Sequence, residues 1–201
     1  MKVELLQITP SAEIFIARCA RISRAKTDNL PIEEARALIR KLIKLGHESV
    51  LEHAVASFYI EGISRVCLAQ LTRHRIASFT VESHRYAKPK REAILPPTIT
   101  RSDDQSLKKM IEILIDNAFL VYENLIASGI PKEDARFFLP QAIPTSLIMT
   151  ANFREWRHIL KLRTGKDAQW EIRSLSLEIL KILHQHAPSV FEDILEKVQS
   201  D

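Results

Sequence analysis

The chain alternates between short stretches rich in apolar residues and longer stretches in which apolar residues recur every three or four positions. The first kind predicts strands at residues 3–8, 54–60 and 146–151. The second kind predicts helices, of which the most regular lies between residues 107 and 126. We therefore expect a helix-rich α+β fold, and a length of 201 residues favours a single domain over residues 1–201.

Turn and capping residues suggest where these elements begin and end. Pro31 and Gly46 bracket one helix, because proline suits a first helical turn and glycine a C-terminal end. Gly62 is predicted to break the second strand before a helix over residues 63–75. Asn152 is predicted to cap the helix that follows the third strand. The remaining expectations are a loop over 88–104, a short helix over 133–139, a long helix from about 167 and a short helix after 188.

Composition excludes several classes of protein. With 46% apolar and 27% charged residues the chain has the make-up of an ordinary globular protein. Neither a dinucleotide-binding nor a P-loop glycine motif is present, and no apolar stretch approaches the ~18 residues that span a bilayer. We expect a cytoplasmic protein without a membrane partner. Cys19 and Cys67 fall within apolar helical patterns, which predicts buried free thiols and neither a disulfide nor a metal site.

The chain has a net charge of +4, and residues 73–86 crowd three arginines and two histidines around a single carboxylate. Such crowding of cations indicates an anionic ligand. His74 continues the apolar stripe of the predicted helix and should point inward; a core histidine between surface arginines is the alternative. Ser83 and Arg85, two residues apart in an extended segment, would share a face that suits phosphate oxygens.

A second group of candidates follows Asn152. Trp156, Ile159 and Arg163 share one helical face with it, so Arg163 is aimed at the interior or at a ligand. A salt bridge to a distant carboxylate is the alternative, because an unpaired buried arginine is costly. His158 lies well round the helix from Arg163.

Four blocks in order along the chain carry a family resemblance. Arg73-His74-Arg75 is followed after seven residues by Ser83, and Arg85-Tyr86 continues the match. Residues 46–53, 139–141 and 152–172 supply the other three blocks. With these motifs the chain strongly resembles the flavin-dependent thymidylate synthases.

The resemblance implies a thymidylate synthase-complementing protein fold with a small, mainly antiparallel sheet. It also implies reductive methylation of dUMP to dTMP, with methylenetetrahydrofolate as carbon donor and NADPH reducing an FAD cofactor. Family members are homotetramers with shared active sites. The implied FAD site consists of His47, Ser49, Arg73, His74, Arg75, Asn152 and His158. The implied dUMP site consists of Gln70, Arg73, Ser83, Arg85 and Arg136, with Arg163 against the uracil ring as the catalytic residue.

Two other functions stay open at this point. One is a basic helical protein that binds nucleic acid through residues 65–91, although an aromatic content of 6% offers few stacking surfaces and we expect no nucleic-acid partner. The other is a nucleotide-binding relative without activity. The family reading needs no thiol nucleophile, because hydride from a reduced flavin takes over that part of the chemistry.

Overall fold

The computed structural model describes residues 1–26 and 28–200, and within these ranges it contains four strands. They form one antiparallel sheet in the order β1-β2-β4-β3. The strands are β1 (Lys2–Ile8), β2 (Val55–Ser64), β3 (Ser78–Val81) and β4 (Pro144–Asn152).

Helices account for most of the remaining chain. The nine α-helices of the described ranges are α1 (Ala12–Ile22), α2 (Ile32–Lys44), α3 (Arg65–Leu71), α4 (Pro97–Thr100), α5 (Gln105–Ala127), α6 (Lys132–Ala135), α7 (Phe153–Arg163), α8 (Trp170–His186) and α9 (Pro188–Ser200). Two 3-10 helices cover Glu48–His53 and Arg136–Phe138. The predicted helix-rich α+β class with a small antiparallel sheet is confirmed. No helix in the described part of the chain is long and apolar enough to cross a membrane.

The chain divides into two compact units. The first unit comprises Met1–Lys2, Ile60–Arg73 and Thr80–Leu147, and the second comprises Val3–Tyr59, His74–Phe79 and Ile148–Asp201. The single domain predicted over residues 1–201 stays a prediction; it includes Thr27 and Asp201, which lie outside the described residues.

The second unit has a core of helices packed on strand residues. Helices α1 and α2 pack on each other, α9 packs on α2 and α8, and α7 packs on α8. Trp156 of α7 is completely buried: its ring meets that of Phe58 edge to face, and its indole N–H donates to the carbonyl of Ala56 at 3.1 Å. An aromatic side chain that buries a large apolar surface and satisfies its one polar group anchors α7 firmly.

The first unit is built around α5, the helix with the most regular sequence pattern. Only Phe119 and Tyr122 of this helix are buried. Large apolar side chains elsewhere on it are exposed, namely Met110, Ile113, Leu114, Leu120 and Val121. The apolar stripe of α5 is therefore wider than the surface that covers it within this chain.

The structure corrects three predicted boundaries. Gly62 does not break the second strand, which continues to Ser64. The φ of Gly62 is +74°, a left-handed conformation inside β2 that glycine adopts without strain. Helix α3 covers Arg65–Leu71 rather than 63–75, and its start is fixed by Ser64, whose hydroxyl accepts from the backbone N–H of Cys67 at 3.1 Å.

The other corrections are smaller. The predicted loop over 88–104 contains the helical turn α4, the strand β3 was not predicted, and the final helix α9 is 13 residues long rather than short. The long helix α8 begins at Trp170, where the side chain of Gln169 accepts hydrogen bonds from the first turn. Helix ends are less sharply defined by sequence than helices themselves, and the predicted start near residue 167 lies before the observed one.

Candidate active site

His74 lies at the centre of the polar groups in the second unit. It is only 5% exposed, although it follows a turn beyond the end of α3 rather than lying on the predicted helix. Its Nε2 accepts a hydrogen bond from Nε of Arg163 at 3.2 Å. Its Nδ1 lies 3.7 Å from Oε1 of Glu155, and its ring meets that of His158 edge to face with centroids 6.0 Å apart. We call these four residues the His74 cluster.

Helix α7 supplies three members of the His74 cluster because its start is fixed by a cap. The side chain of Asn152 accepts from the backbone N–H of Glu155 at 2.8 Å, which confirms the predicted N-cap. Trp156, four residues after Asn152, is buried, and Arg163 in the last turn of α7 is half-buried. A cation there is favoured by the negative end of the helix dipole.

Electrostatics keep the His74 imidazole neutral. Burial, together with the charge of Arg163 and the neighbouring His158, lowers the pKa of His74 to about 4. Burial also raises the pKa of the Glu155 carboxyl. Since a guanidinium can only donate, Nε2 of His74 must carry the lone pair, and the proton of the neutral ring sits on Nδ1.

A cavity of about 550 Å³ opens beside this cluster in the second unit. Its wall combines an apolar group with amide, imidazole, guanidinium and carboxylate groups. Two of its carboxylates are ion-paired, Glu52 with Arg154 at 2.5 Å and Glu48 with Lys161 at 3.3 Å. The lining residues are Glu48, Glu52, Ile76, Asn152, Arg154, Glu155 and His158.

The residues predicted to bind FAD are only partly gathered at this cavity. Asn152 and His158 line it, and Asn152 keeps its amide N–H groups to donate, since its oxygen already caps α7. His47 is exposed and lines a separate cavity of about 540 Å³ beside α1 and α2. Ser49 and Arg75 belong to the same second unit and are exposed.

The residues predicted to bind the dUMP phosphate lie in the first unit. Residues 83–85 form a turn rather than the predicted extended segment: the N–H of Tyr86 donates to the carbonyl of Ser83 at 3.0 Å. The Ser83 hydroxyl accepts from the backbone N–H of Arg85 at 3.3 Å. Arg85 is exposed and ion-paired through Nε with Glu133 at 2.5 Å, and Nε of Arg136 donates to the Glu133 carbonyl at 3.1 Å. We call Ser83, Arg85, Glu133 and Arg136 the Ser83 turn.

Two further predicted residues of the first unit come from the end of α3. Gln70 is half-buried in the helix, and Arg73 is exposed just after it. Buried His84 lies close enough to the charges of Arg65 and Arg136 for them to add to the effect of burial in lowering its pKa. Burial likewise lowers the pKa of Arg65, with the charge of Arg136 as the second cause. Sequence patterns gave no sign of this cationic group.

Sequence reasoning also missed Glu155 and Arg157. The spacing Asn152-x-x-Glu155 has the form of a capping signal and could have drawn attention to Glu155. Arg157 is fully buried, and its two Nη atoms pair with the carboxylate of Asp193 at 2.7 Å each, with Glu48 3.5 Å from Nε. This ion-paired arginine fixes the 3-10 helix at Glu48 to α7.

Two further predictions from the sequence concern the cysteines and a metal site. Cys67 is buried as predicted, whereas Cys19 is half-buried. In the ranges 1–26 and 28–200 no group of three histidine, cysteine, aspartate or glutamate side chains could hold a metal ion.

Fold and site define a helix-rich α+β protein that holds a neutral histidine against an arginine beside a polar cavity. The family description "Thymidylate synthase complementing protein" matches residues 4–189. A flavin-dependent thymidylate synthase of Geobacter sulfurreducens is 39% identical, over 96% of this chain and 86% of that protein. The enzymes of the same name from Sulfurisphaera tokodaii and Haloarcula marismortui are 38% and 34% identical, over 95% and 96% of this chain and 76% and 94% of those proteins. The chain belongs to the thymidylate synthase complementing protein family.

Proposed function

We propose that this protein is a flavin-dependent thymidylate synthase, an FAD-dependent methyltransferase that converts dUMP to dTMP. Methylenetetrahydrofolate is the carbon donor and NADPH the reductant. One observation carries the proposal beyond family membership: His74 and Arg163, 89 residues apart in the chain, are in contact at 3.2 Å. Both belong to the motif blocks, and the other two members of their cluster, Glu155 and His158, line the cavity of the second unit.

The cavity beside the His74 cluster has groups that suit part of a flavin. An isoalloxazine ring needs an apolar surface and hydrogen-bonding partners along one edge, and Ile76, Asn152 and His158 offer both. We propose that these residues contact FAD and that exposed Arg75, with His47 and Ser49, serves its more polar portion. Bound FAD supplies the hydride for the reductive step.

Arg163 is proposed as the catalytic residue. Its guanidinium keeps a full positive charge at any physiological pH, and the bond from its Nε to His74 fixes the plane of the group. Placed against the uracil ring of dUMP, that charge stabilises the N3 anion and makes C5 more nucleophilic. His74 contributes by remaining neutral, because an imidazolium could not accept the Arg163 hydrogen bond.

The Ser83 turn is proposed to hold the phosphate of dUMP. It offers a hydroxyl and two guanidinium groups near one another, and forked donors of this kind suit phosphate oxygens. Gln70 and Arg73 are proposed as further nucleotide contacts. A phosphate would replace the Glu133 carboxylate as the partner of Arg85.

A homotetramer with shared active sites also belongs to this proposal. It is supported by the exposed apolar residues of α5, which include Met110, Leu114 and Val121. Contiguous exposed apolar surface is typical of protein–protein interfaces. The cytoplasmic location expected from the sequence stays a prediction.

An anaerobic assay tests the proposed function. The protein, supplied with FAD and NADPH, should form dTMP when both dUMP and methylenetetrahydrofolate are present, and should form none when either is omitted. The Cys19→Ser/Cys67→Ser double variant should also form dTMP, since neither thiol is proposed as a nucleophile. Oxidation of NADPH without any dTMP from a flavin-loaded protein would contradict the proposal.

A further inference from the structure

Glu155 is a buried carboxylate to which the proposed chemistry assigns no task. Its residue is 7% exposed, and its backbone N–H is held by the Asn152 cap at 2.8 Å. A glutamate at this position of a helix usually reaches back toward the N-cap in a capping box. Here Oε1 lies instead 3.7 Å from Nδ1 of His74, on the wall of the cavity. Its position toward His74 is therefore the feature that needs a reason.

The His74 ring has two nitrogens with opposite requirements. Nε2 accepts from Nε of Arg163, so the proton of the neutral ring sits on Nδ1. That N–H lies in a buried setting, where a donor without an acceptor nearby is costly. The Glu155 carboxylate is the group placed beside it, within reach of a charge–dipole attraction and a few tenths of an ångström beyond a direct hydrogen bond.

We propose that Glu155 is a positioning residue that orients the His74 imidazole and, through it, the Arg163 guanidinium. The proposal rests on the proposed function, because that function gives Arg163 the task of contacting the uracil ring. Glu155 lies on the wall of the cavity in the second unit, but it is not among the residues proposed to contact FAD or dUMP. The order of the interactions is Asn152 to Glu155 to His74 to Arg163, at 2.8, 3.7 and 3.2 Å in turn.

The arrangement suits a long, flexible side chain that must present a planar group. An arginine side chain has many rotamers, so an unsupported guanidinium samples many orientations. A bond at Nε fixes its plane, but only while the imidazole itself is fixed. The Glu155 carboxylate favours the ring orientation with Nδ1–H toward it and disfavours the flipped ring, in which Nε2 would move away from Arg163.

Nitrogen NMR of protein labelled with ¹⁵N-histidine tests this directly, because it distinguishes the two neutral tautomers of an imidazole. In the unmodified protein without flavin or nucleotide, we expect His74 to be neutral at pH 7 with its proton on Nδ1. Glu155→Ala should give mixed tautomers or ring averaging at His74. With flavin and substrates, kcat for dTMP should fall about tenfold or more while the Kd of dUMP changes less than about twofold.

Two variants serve as comparisons. Glu155→Gln keeps an oxygen acceptor and should retain the Nδ1–H tautomer and most of kcat. Glu13→Gln alters another buried carboxylate of the second unit, one that bonds to Ser189 and Arg36, and should leave the His74 signals unchanged. If Glu155→Ala does not fold, Glu155→Asp takes its place, since it withdraws the carboxylate by one methylene and should produce the same changes to a smaller extent.

The outcomes separate this proposal from the proposed function. His74 signals in Glu155→Ala that match the unmodified protein would overturn the positioning role, whatever kcat does. Altered His74 signals with an unchanged kcat would overturn the claim that Glu155 orients Arg163 for the reaction. An unmodified protein that forms no dTMP would contradict the proposed function, yet the nitrogen signals would still decide whether Glu155 orients His74.

Discussion

The His74 cluster and the Ser83 turn draw on the same stretch of motif sequence, but they are built in opposite ways. In the His74 cluster His74 and Glu155 are buried and Arg163 is half-buried, and a neutral imidazole accepts the bond that fixes Arg163. In the Ser83 turn the main cation, Arg85, is exposed, and its present partner is the partly exposed carboxylate of Glu133. The His74 cluster has its geometry set before any ligand arrives. In the Ser83 turn, Arg85 must exchange the Glu133 carboxylate for the proposed phosphate.

This difference matches the tasks proposed for the two regions. Stabilising an anion that develops on a ring requires a charge that needs no reorganisation during the reaction. Holding a phosphate requires cations that are reachable from solvent, and an exposed ion pair contributes only about 0–1 kcal/mol, so it is easily replaced. We therefore expect variants of the His74 cluster to affect cofactor and turnover, and variants of the Ser83 turn to affect nucleotide affinity.

The largest effect is expected from removing the imidazole and a neighbouring guanidinium together. His74→Ala with Arg75→Ala should abolish FAD binding, because Arg75 supplies positive charge for the diphosphate of FAD and neutral His74 orients the groups beside the cavity. Flavin absorbance of the purified, folded protein is the measurement. Arg91→Ala, which removes an exposed arginine paired with Asp116, is the control and should keep its flavin. Unchanged flavin occupancy in a folded double variant would remove these residues from the cofactor site.

The pH dependence of stability should reveal the buried imidazole. The folded protein holds the pKa of His74 at about 4, below its ordinary value of 6.5, so protonation favours the unfolded chain. The stability that depends on a neutral His74 is fully present above pH 7. As the pH falls toward 4, the free energy of unfolding decreases by about 3 kcal/mol from this cause.

His74→Gln isolates this contribution, because glutamine can still accept from Arg163 but does not titrate. Denaturant unfolding at pH 7 and pH 4 should show a smaller loss of stability in the variant than in the unmodified protein. The raised pKa of Glu155 has the opposite effect on stability as the pH falls. Both proteins contain Glu155, so comparing the variant with the unmodified protein reduces its influence. Equal losses in both proteins would mean that His74 is not held neutral by its surroundings.

Arg85→Ala should weaken nucleotide binding without removing the cofactor. The loss of a charge-assisted hydrogen bond costs roughly 1.5–3 kcal/mol, or about ten- to a hundredfold in Kd. The effect should be large for dUMP and small for deoxyuridine, as measured by calorimetry, because the contact is proposed to be with phosphate. Ser83→Ala should act in the same direction. Equal losses for nucleotide and nucleoside would separate these residues from the phosphate.

Glu133→Gln should have the smallest effect, and in the opposite direction. It removes the carboxylate that competes with phosphate for Arg85. We expect up to about a fivefold decrease in the Kd of dUMP, in line with the weak net contribution of exposed ion pairs. Glu123→Gln, a change in the exposed pair with Lys88, is the matched control and should leave the Kd unchanged. Weaker dUMP binding after Glu133→Gln would show that Glu133 supports the site rather than competes for it.

Local signals in the sequence predicted much of this structure. The cap at Asn152 was correct because a cap depends on a side chain and a backbone group three residues away. The burial of His74 was also correct, but for an incomplete reason: helix α3 ends at Leu71, and packing beyond the helix, not its periodicity, buries the ring.

Contacts between distant parts of the chain were not predictable in the same way. Nothing in the local pattern distinguishes Glu155 from an ordinary capping glutamate, because its partner His74 precedes it by several elements. The pairing of buried Arg157 with Asp193 was missed for the same reason. The extended conformation expected at Ser83 was wrong, because a hydroxyl that bonds to a nearby backbone N–H favours a turn.

Formation of dTMP by Arg163→Lys is the measurement that tests the central claim most directly. Lysine keeps the positive charge but loses the planar group that His74 holds. We predict that the variant binds dUMP and keeps its flavin, while kcat for dTMP falls by about a hundredfold or more. Near-normal dTMP formation by a folded, flavin-loaded Arg163→Lys protein would contradict the account, since the orientation of the guanidinium by His74 would then be irrelevant to the reaction.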